Sequence, residues 1–585
     1  MSFIDKKMNN KFDVVVGIDF GSSGTGYAFS FNNPKEIILG YLKDQGPDVK
    51  VPTEIILDKN LNFIAFGGKC KKYIELKNKL KEGELHFQKI KMSLYHDQTT
   101  IKPQNQSTEY PLDEIISKVL KHVKEEAIKT ISEKRPTINE NKIKWVVTVP
   151  AIWKENQKGI MMKASEKAGL FNDCTNRANF FALEPEAASL FCSQDSAIEP
   201  KYIEPGKTFI ICDLGGGTGD IVTHSKKEKD EIKEKYQANG GNFGSNEIDK
   251  KIFSLIINKI FGFEEFNSLE KKNEKIQKPY KTGFLYQQWK LLEDEIQIKK
   301  KITEDIKDDS FYLDCRIFEK FTDGKNIKDL INLYNKNCRD GWEIKLEEDN
   351  WFLTCPNKIF YDLITRQAEK ISEQIEKITE NIPDVESIIY VGGYCQNEIL
   401  INYFKTKFNG KNIVHLKPSY PDLAVVKGAV LFGINPNIIT ERKAKYSIGL
   451  SVREKWDETI HGNGEKIFDE KNKCYYCNNC FNLFFEKGQT LSINDTITHH
   501  LEMSDSRYCY LGFYRSIYKK NPNLCSEDGV EKIGEDRLDL KTDFKDDERD
   551  IEVIMKFGGT YVEAECIHKK SRQRIKTNLY FDKQN

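Results

Sequence analysis

The stretch V-V-V-G-I-D-F-G-S-S-G-T-G-Y (Val14–Tyr27) decides the reading of this chain, because it has a counterpart in F-I-I-C-D-L-G-G-G-T-G-D (Phe209–Asp220). Each is an apolar run that ends in an aspartate and passes at once into a Gly/Ser/Thr turn. An apolar run of that length reads as a buried strand. Asp19 and Asp213 then stand at strand exits, and the turns offer small residues and free backbone N–H groups. That chemistry suits a nucleotide: amides and hydroxyls for phosphate oxygens, a carboxylate for a hydrated Mg²⁺. One such segment is a common hairpin turn. Two of them predict a duplicated fold that grips one nucleotide from both sides.

The chain has 585 residues, too many for one core, so roughly two to four domains are expected. Lys+Arg and Asp+Glu both number 90, and with zero net charge nothing overall argues for nucleic acid or an anionic membrane as partner, so no nucleic acid is expected. The N-terminal M-S-F-I-D-K-K-M-N-N lacks an apolar targeting core, and no stretch reaches the ~18 apolar residues of a membrane span. A cytoplasmic location is expected. The 14 cysteines are then reduced thiols for the most part, with Cys192, Cys212 and Cys395 in apolar surroundings as small core residues.

Around the two glycine turns the chain alternates strand, turn and helix, as α/β layers do. Residues 12–31 read as a hairpin whose second strand is Tyr27 to Phe31, and residues 111–133 carry the i, i+3, i+4 spacing of a helix. Trp145 to Val149 is a strand, 154–169 a helix ending at Gly169, and an Ala-rich helix follows E-P-E at 184–186. A helix after G-G-N-F-G-S-N-E-I-D runs through Ile260; 261–355 reads as an expanded, lysine-rich region with a helix near 283–301. The 357–380 helix leads into the strand of E-S-I-I-Y-V-G-G-Y. Residues 446–585 are β-rich, with alternating stretches such as Tyr508–Phe513 and Ile551–Phe557, polar turns between them and a last strand at Thr577–Phe581.

Five ordered segments carry a resemblance: D-F-G-S-S-G from Asp19, V-V-T-V-P-A-I-W (146–153) with L-E-P-E-A-A-S (183–189), D-L-G-G-G-T-G-D from Asp213, V-G-G-Y from Val391, and P-D-L-A-V-V-K-G-A-V-L-F-G (421–433). In this order the chain resembles the actin/hexokinase/70-kDa heat-shock ATPase superfamily over roughly residues 12–440. Finer features are similar to the divergent 12-type branch of the 70-kDa heat-shock proteins: T-G-Y-A-F-S-F, H-F-Q-K-I-K-M-S-L-Y, G-G-N-F-G-S, C-F-N-L-F-F-E-K-G and K-F-G-G-T-Y-V-E-A. The resemblance implies an α/β fold, a duplicated actin-like (ribonuclease H-like) ATPase domain of two lobes, followed by a β-rich C-terminal domain. Lobe I would span about 12–205. Lobe II would span about 206–420 with an expanded subdomain at 245–385, and the chain would return to lobe I at about 420–440. Residues 446–585 would form the C-terminal domain.

The resemblance also implies a site that binds ATP or ADP with Mg²⁺. Gly21, Ser22, Ser23 and Gly24 would meet the phosphates from one side, and Gly215, Gly216, Gly217 and Thr218 from the other. Glycine is needed where backbone must approach a ligand closely. Asp19 and Asp213 match the carboxylates that hold Mg²⁺ through water. Glu184 and Lys91 match the pair near the attacking water, with Lys89 a nearby alternative to Lys91, and Asp220 would cap the second loop or assist the metal. Gly241 and Gly244 match the turn that faces sugar and phosphates, and Asp422 an aspartate near the metal or hinge. Gly392 and Gly393 would admit the nucleoside, yet Tyr394 and Gln396 stand where the family has Ser and Arg. The family's Glu…Lys ribose clamp is only partly legible: Gln297 and Lys300 have its spacing with the wrong first residue.

The function implied is a slowly hydrolysing Mg-ATP-binding ATPase, chaperone-like, whose lobe closure acts on a C-terminal region that binds a protein client or partner. Two departures weaken client capture. The segment I-I-T-E-R-K-A-K-Y-S-I-G-L (438–450) is basic rather than acidic and leucine-rich, and no long helical lid follows the β-rich third. A nucleotide-dependent scaffold with little turnover is the alternative, and a small-molecule kinase on the same fold a weaker one. Separately, C-Y-Y-C-N-N-C (Cys474, Cys477, Cys480) has the C-x₂-C spacing of a zinc ligand pair. No second pair completes it, His461, His499, His500 and Cys509 being the nearest further ligands, so reduced thiols are the simpler reading.

Overall fold

The computed structural model describes residues 12–43, 45–77, 80–171, 180–228, 231–260, 296–297, 302–315, 325–348, 351–462, 464–470, 472–493, 495–557 and 562–578. Two sheets repeat one pattern. In the first, Val14–Phe20 lies antiparallel to Gly24–Ser30 on one side and parallel to Ile143–Val149 on the other. Phe181–Leu183 and Ile38–Gly40 close the two ends. In the second, Thr208–Leu214 lies antiparallel to Gly219–Lys226 and parallel to Val385–Val391. Here Val414–Leu416 and Ile232–Gly241 flank the trio. The central strands of both are buried at every position, so each reads as a continuous apolar run instead of an alternating one.

The chain is α/β, a duplicated actin-like domain followed by a β-rich C-terminal domain. Helices Glu184–Cys192 and Ala424–Ile434 cross between the sheets. They touch so closely that a Cβ on Gly428 would stand 1.7 Å from the Ala187 carbonyl oxygen. Ala424–Ile434 packs on Val14–Phe20, where Gly17 makes room for Ala429. Thus this helix packs back on the first sheet.

The second sheet does not stop at its fifth strand. Ile439–Lys443 joins Ile232–Gly241 in parallel, and Thr490–Ser492, from the C-terminal third, joins Ile439–Lys443. Beyond it, Lys466–Asp469, Cys474–Phe485, Ser447–Lys455, Tyr508–Ser516 and Val530–Asp539 form a five-stranded sheet in that order. Asp495–Glu502, Asp550–Phe557, Val562–His568 and Arg574–Asn578 form a four-stranded one. Their inner faces share a core that includes Leu450, Phe484, Phe513, Ile551 and Val553, the arrangement of a β-sandwich.

Several boundaries differ from the sequence reading. The strand after the first turn begins at Gly24, because its pairing with Phe20 starts at Thr25. The Ala-rich helix begins at Glu184 and contains E-P-E, since proline is tolerated in a first helical turn. The helix after the Gly241–Ser245 turn begins at Asn246 and ends in a π-helical turn, Leu255–Ile260. Among the described residues the last strand is Arg574–Asn578, and Leu579 to Phe581 of the expected strand lie outside them. The helix expected near 283–301 lies largely outside the described residues. Among those residues no helix is long and apolar enough to cross a membrane.

Candidate functional site

The duplication extends to the turns. Gly21 N–H donates to the Gly24 carbonyl (3.1 Å), and Gly215 N–H to the Thr218 carbonyl (3.0 Å). Each turn therefore sits at the end of a strand whose last polar residue is an aspartate, and the two turns meet. A Cβ on Gly216 would lie 1.7 Å from Ser23 Oγ, and one on Gly217 2.5 Å from Ser22 Oγ and 2.4 Å from Met92 Sδ. No side chain fits there. Ser23 Oγ also donates to Asn246 Oδ1 (3.4 Å).

The Gly241–Asn246 turn braces the second loop from behind. Gly244, Ser245 and Asn246 donate their amides to the carbonyls of Gly217, Gly215 and Gly216. Gly241 is the end of its strand, paired with Gly219. Gly392, at φ +88°, occupies the left-handed region that favours glycine, and its N–H donates to Pro421 (2.8 Å). That bond brings the Val391-Gly-Gly-Tyr segment against Pro421 and Asp422. A Cβ on Gly392 would lie 2.7 Å from Asp213 Oδ1, while one on Gly393 would meet open space.

Asp19, Lys91, Glu184, Asp213 and Asp220 are all buried. Thr148 Oγ1 donates to Asp19 Oδ1 (3.2 Å), and Lys50 Nζ stands 2.5 Å from Asp19 Oδ2. Lys91 pairs with Glu184, whereas Lys89 is the left-handed residue before the Ile90–Tyr95 helix. Ile152 N–H donates to Asp220 Oδ1 (3.0 Å). Burial, and then Glu184 and Asp220, hold the Asp213 carboxyl well above the usual range. Burial followed by Glu184 lifts Asp220 to about 7. Burial also raises Glu184, against the pull of Lys91. For Lys50, burial opposes the charge, but Asp19 with Asp213 and Asp422 outweighs it and holds the ammonium above its ordinary pKa. Crowded, desolvated carboxylates are relieved by a cation placed among them. The residues present fit a hydrated Mg²⁺ and a phosphate chain: acids at the strand ends, hydroxyls and glycine turns between them.

The nucleoside side is less complete. Tyr394 turns inward, its hydroxyl donating to Gln367 Oε1 (3.1 Å), while Gln367 Nε2 donates to the Gly244 carbonyl (3.0 Å). Gln297 Nε2 donates to Asp249, and Lys300 lies outside the described residues. Sequence reasoning missed Lys50, Thr148 and Asn246. Thr148 had a signal, a lone hydroxyl in the apolar V-V-T-V-P strand. Lys50 and Asn246 had none, since each acts across a distance that only folding closes.

The C-x₂-C segment lies on Cys474–Phe485. A bulge at left-handed Asn479 sets Val452 opposite Cys480 but Glu454 opposite Cys477. It gathers buried Cys477 and Cys480 into one apolar cluster with Leu524, while Cys474 is half-buried. Ligand atoms of Cys480, His461 and Glu454 come within 4.8 Å of one another. There His461 Nδ1 accepts the Asp457 N–H (3.0 Å), and its Nε2 stands 3.7 Å from Glu454 Oε2. His499 stacks on Phe484 instead. Of the three cysteines of the motif, Cys480 alone contributes to that group.

Comparison with known proteins adds an independent line. A family model described as Hsp70 protein matches residues 70–281. The chain is 26% identical to heat shock 70 kDa protein 12A of Mus musculus, over 97% of this chain and 92% of that protein. To heat shock 70 kDa protein 12B of Homo sapiens it is 23% identical, over 97% and 91%. A chaperone protein HscA homolog of Neisseria meningitidis serogroup B is 32% identical, over 26% of this chain and 21% of its own. Similarity that runs from end to end with the 12A and 12B proteins, and over about a quarter of the chain with HscA, supports a divergent, 12-type member of the 70-kDa heat-shock superfamily, and such membership implies nucleotide binding.

Proposed function

We propose that this chain binds Mg-ATP between its two glycine turns and hydrolyses it slowly, and that lobe movement controls partner binding by the C-terminal region. We take residues 12–440 as the nucleotide-binding domain and 446–585 as the domain it controls. One observation carries the reading: two acid-tipped turns, distant in sequence, meet face to face with glycine wherever a side chain would collide. Phosphoryl transfer needs mainly positioning and charge stabilisation. Gly21–Gly24 and Gly215–Thr218 supply the amides and hydroxyls, and Asp19 and Asp213 would hold the metal through water. Bound Mg²⁺ neutralises charge on the phosphate oxygens. Lys91 offers a point charge, and Glu184, which burial makes readier to take a proton, orients and deprotonates water.

Coupling has a structural basis too. A triphosphate entering between the turns must part Ser22 and Ser23 from Gly216 and Gly217. Thr490–Ser492 extends the second sheet through Ile439–Lys443, so lobe II and the C-terminal region share backbone hydrogen bonds. A nucleotide shifts such an equilibrium only through different affinities for the open and closed states. The test is ATP affinity with Mg²⁺ together with phosphate release in the absence of any acceptor. Binding with release is expected; tight binding without release would leave a scaffold, and release only with a sugar acceptor a kinase.

A further inference from the structure

Lys50 belongs to no recognised motif, yet it reaches a group of carboxylates, Asp19 with Asp213 and Asp422. It precedes the short Val51–Pro52 strand, which pairs antiparallel with Gly24 and Thr25. From there its stem crosses the first hairpin over two glycines. A Cβ on Gly24 would lie 3.4 Å from Lys50 Cβ, and one on Gly26 3.0 Å from Lys50 Cγ. The G-T-G spacing thus leaves a track for a lysine stem, and at its end the ammonium stands 2.5 Å from Asp19 Oδ2.

Three features separate this contact from an ordinary ion pair. The Lys50 side chain keeps 26% of its surface exposed while Asp19 is buried, so the pair joins a partly open side chain to a buried carboxylate. The other Asp19 oxygen takes Thr148, so Lys50 holds the oxygen that Thr148 leaves. An ammonium has three donors, and Asp19 uses one. Lys91, by contrast, is committed to Glu184.

Resting on the nucleotide reading above, we propose that Lys50 is a phosphate-contact residue. Its ammonium neutralises Asp19 when no nucleotide is bound and gives its remaining donors to the phosphate oxygens of a nucleoside triphosphate. Lys50 and Mg²⁺ then share one task, and affinity depends on Lys50 most when Mg²⁺ is absent.

The experiment is equilibrium ATP binding to the full chain, wild type against Lys50→Met and Lys50→Arg, in excess Mg²⁺ and in EDTA, with thermal melting alongside. Lys50→Met should weaken ATP about tenfold or more in EDTA and less in Mg²⁺, the loss expected of a charge-assisted hydrogen bond. Lys50→Arg, which keeps the charge, should retain most of the affinity in both buffers; Lys50→Gln, which removes the charge and should lose affinity as methionine does, serves if the methionine variant does not fold. A methionine or glutamine variant with a changed melting temperature but wild-type affinity in both buffers would overturn the proposal and leave a structural ion pair. If the wild type itself fails to bind ATP, the nucleotide reading falls and the role of Lys50 with it.

Discussion

Arg442 and Glu186 form a bidentate ion pair inside the molecule, Nε to Oε1 at 2.6 Å and Nη2 to Oε2 at 2.7 Å. Arg442 lies on the strand that leads into the C-terminal third; Glu186 lies on the helix that carries Glu184 into the cleft. The guanidinium thus ties the chain between domains to the backbone of the site. Removing one partner strands the other's charge, which costs about 3–5 kcal/mol. Arg442→Ala should lower the denaturation midpoint accordingly, and Arg442→Lys should recover little, because an ammonium cannot make the planar two-point contact. Lysine at wild-type stability would show that the fork geometry is unimportant.

The carboxylates that serve the site strain the free protein. Asp213 is held protonation-prone by burial and by Glu184 and Asp220. Asp213→Asn should therefore leave the melting temperature unchanged or raise it while lowering Mg-ATP turnover at least ~100-fold, the scale for losing one key electrostatic group. Asp19→Asn should lower turnover similarly, and Lys89→Ala should not. Calorimetry and phosphate release read the two effects separately; equal turnover in all three variants would contradict the site.

Two glycines separate fold from binding. Gly217→Ala drives a methyl into Ser22 Oγ and Met92 Sδ, and overpacking of this kind costs about 1–3 kcal/mol. Gly393→Ala meets nothing within 4 Å, so its stability should change by less than about 0.5 kcal/mol. If the nucleoside lies against Gly393, that same variant loses ATP affinity. A Gly393→Ala chain with full ATP affinity would move the nucleoside elsewhere.

Acid should loosen the second lobe through His224. The ring is buried, with Nδ1 2.7 Å from Ser189 Oγ, and burial lowers its pKa from 6.5 to about 4. The unfolded chain then takes up a proton before the folded one does. Stability is whole above pH ~6.5 and falls progressively between about 6.5 and about 4, by roughly 3 kcal/mol at the lower limit. Urea midpoints across this range should show the decline, and His224→Asn should flatten it. An unchanged slope in that variant would assign the acid sensitivity to other groups.

Much of the fold was legible because its signals are local. Val14–Phe20 and Thr208–Leu214 are apolar at nearly every position and end in aspartate and glycine, and no long-range information is needed to read a buried strand followed by a turn. The segment P-D-L-A-V-V-K-G-A-V-L-F-G was legible only as a family signature, and that Ala424–Ile434 is a helix came from the structure. Boundaries slipped where pairing outranked local preference, as at Gly24, a residue of low strand propensity held by its antiparallel partners.

By itself the sequence determined that two acid-tipped turns exist, that they are copies, and that a β-rich third follows. Only the tertiary structure decided that the turns touch, that Lys50 answers Asp19, that Arg442 answers Glu186, and that Ile439–Lys443 and Thr490–Ser492 complete the second sheet. The reason is physical. Strand and turn preferences act over a few neighbouring residues, whereas an ion pair or an edge-strand hydrogen bond depends on distance in space, which no spacing along the chain encodes.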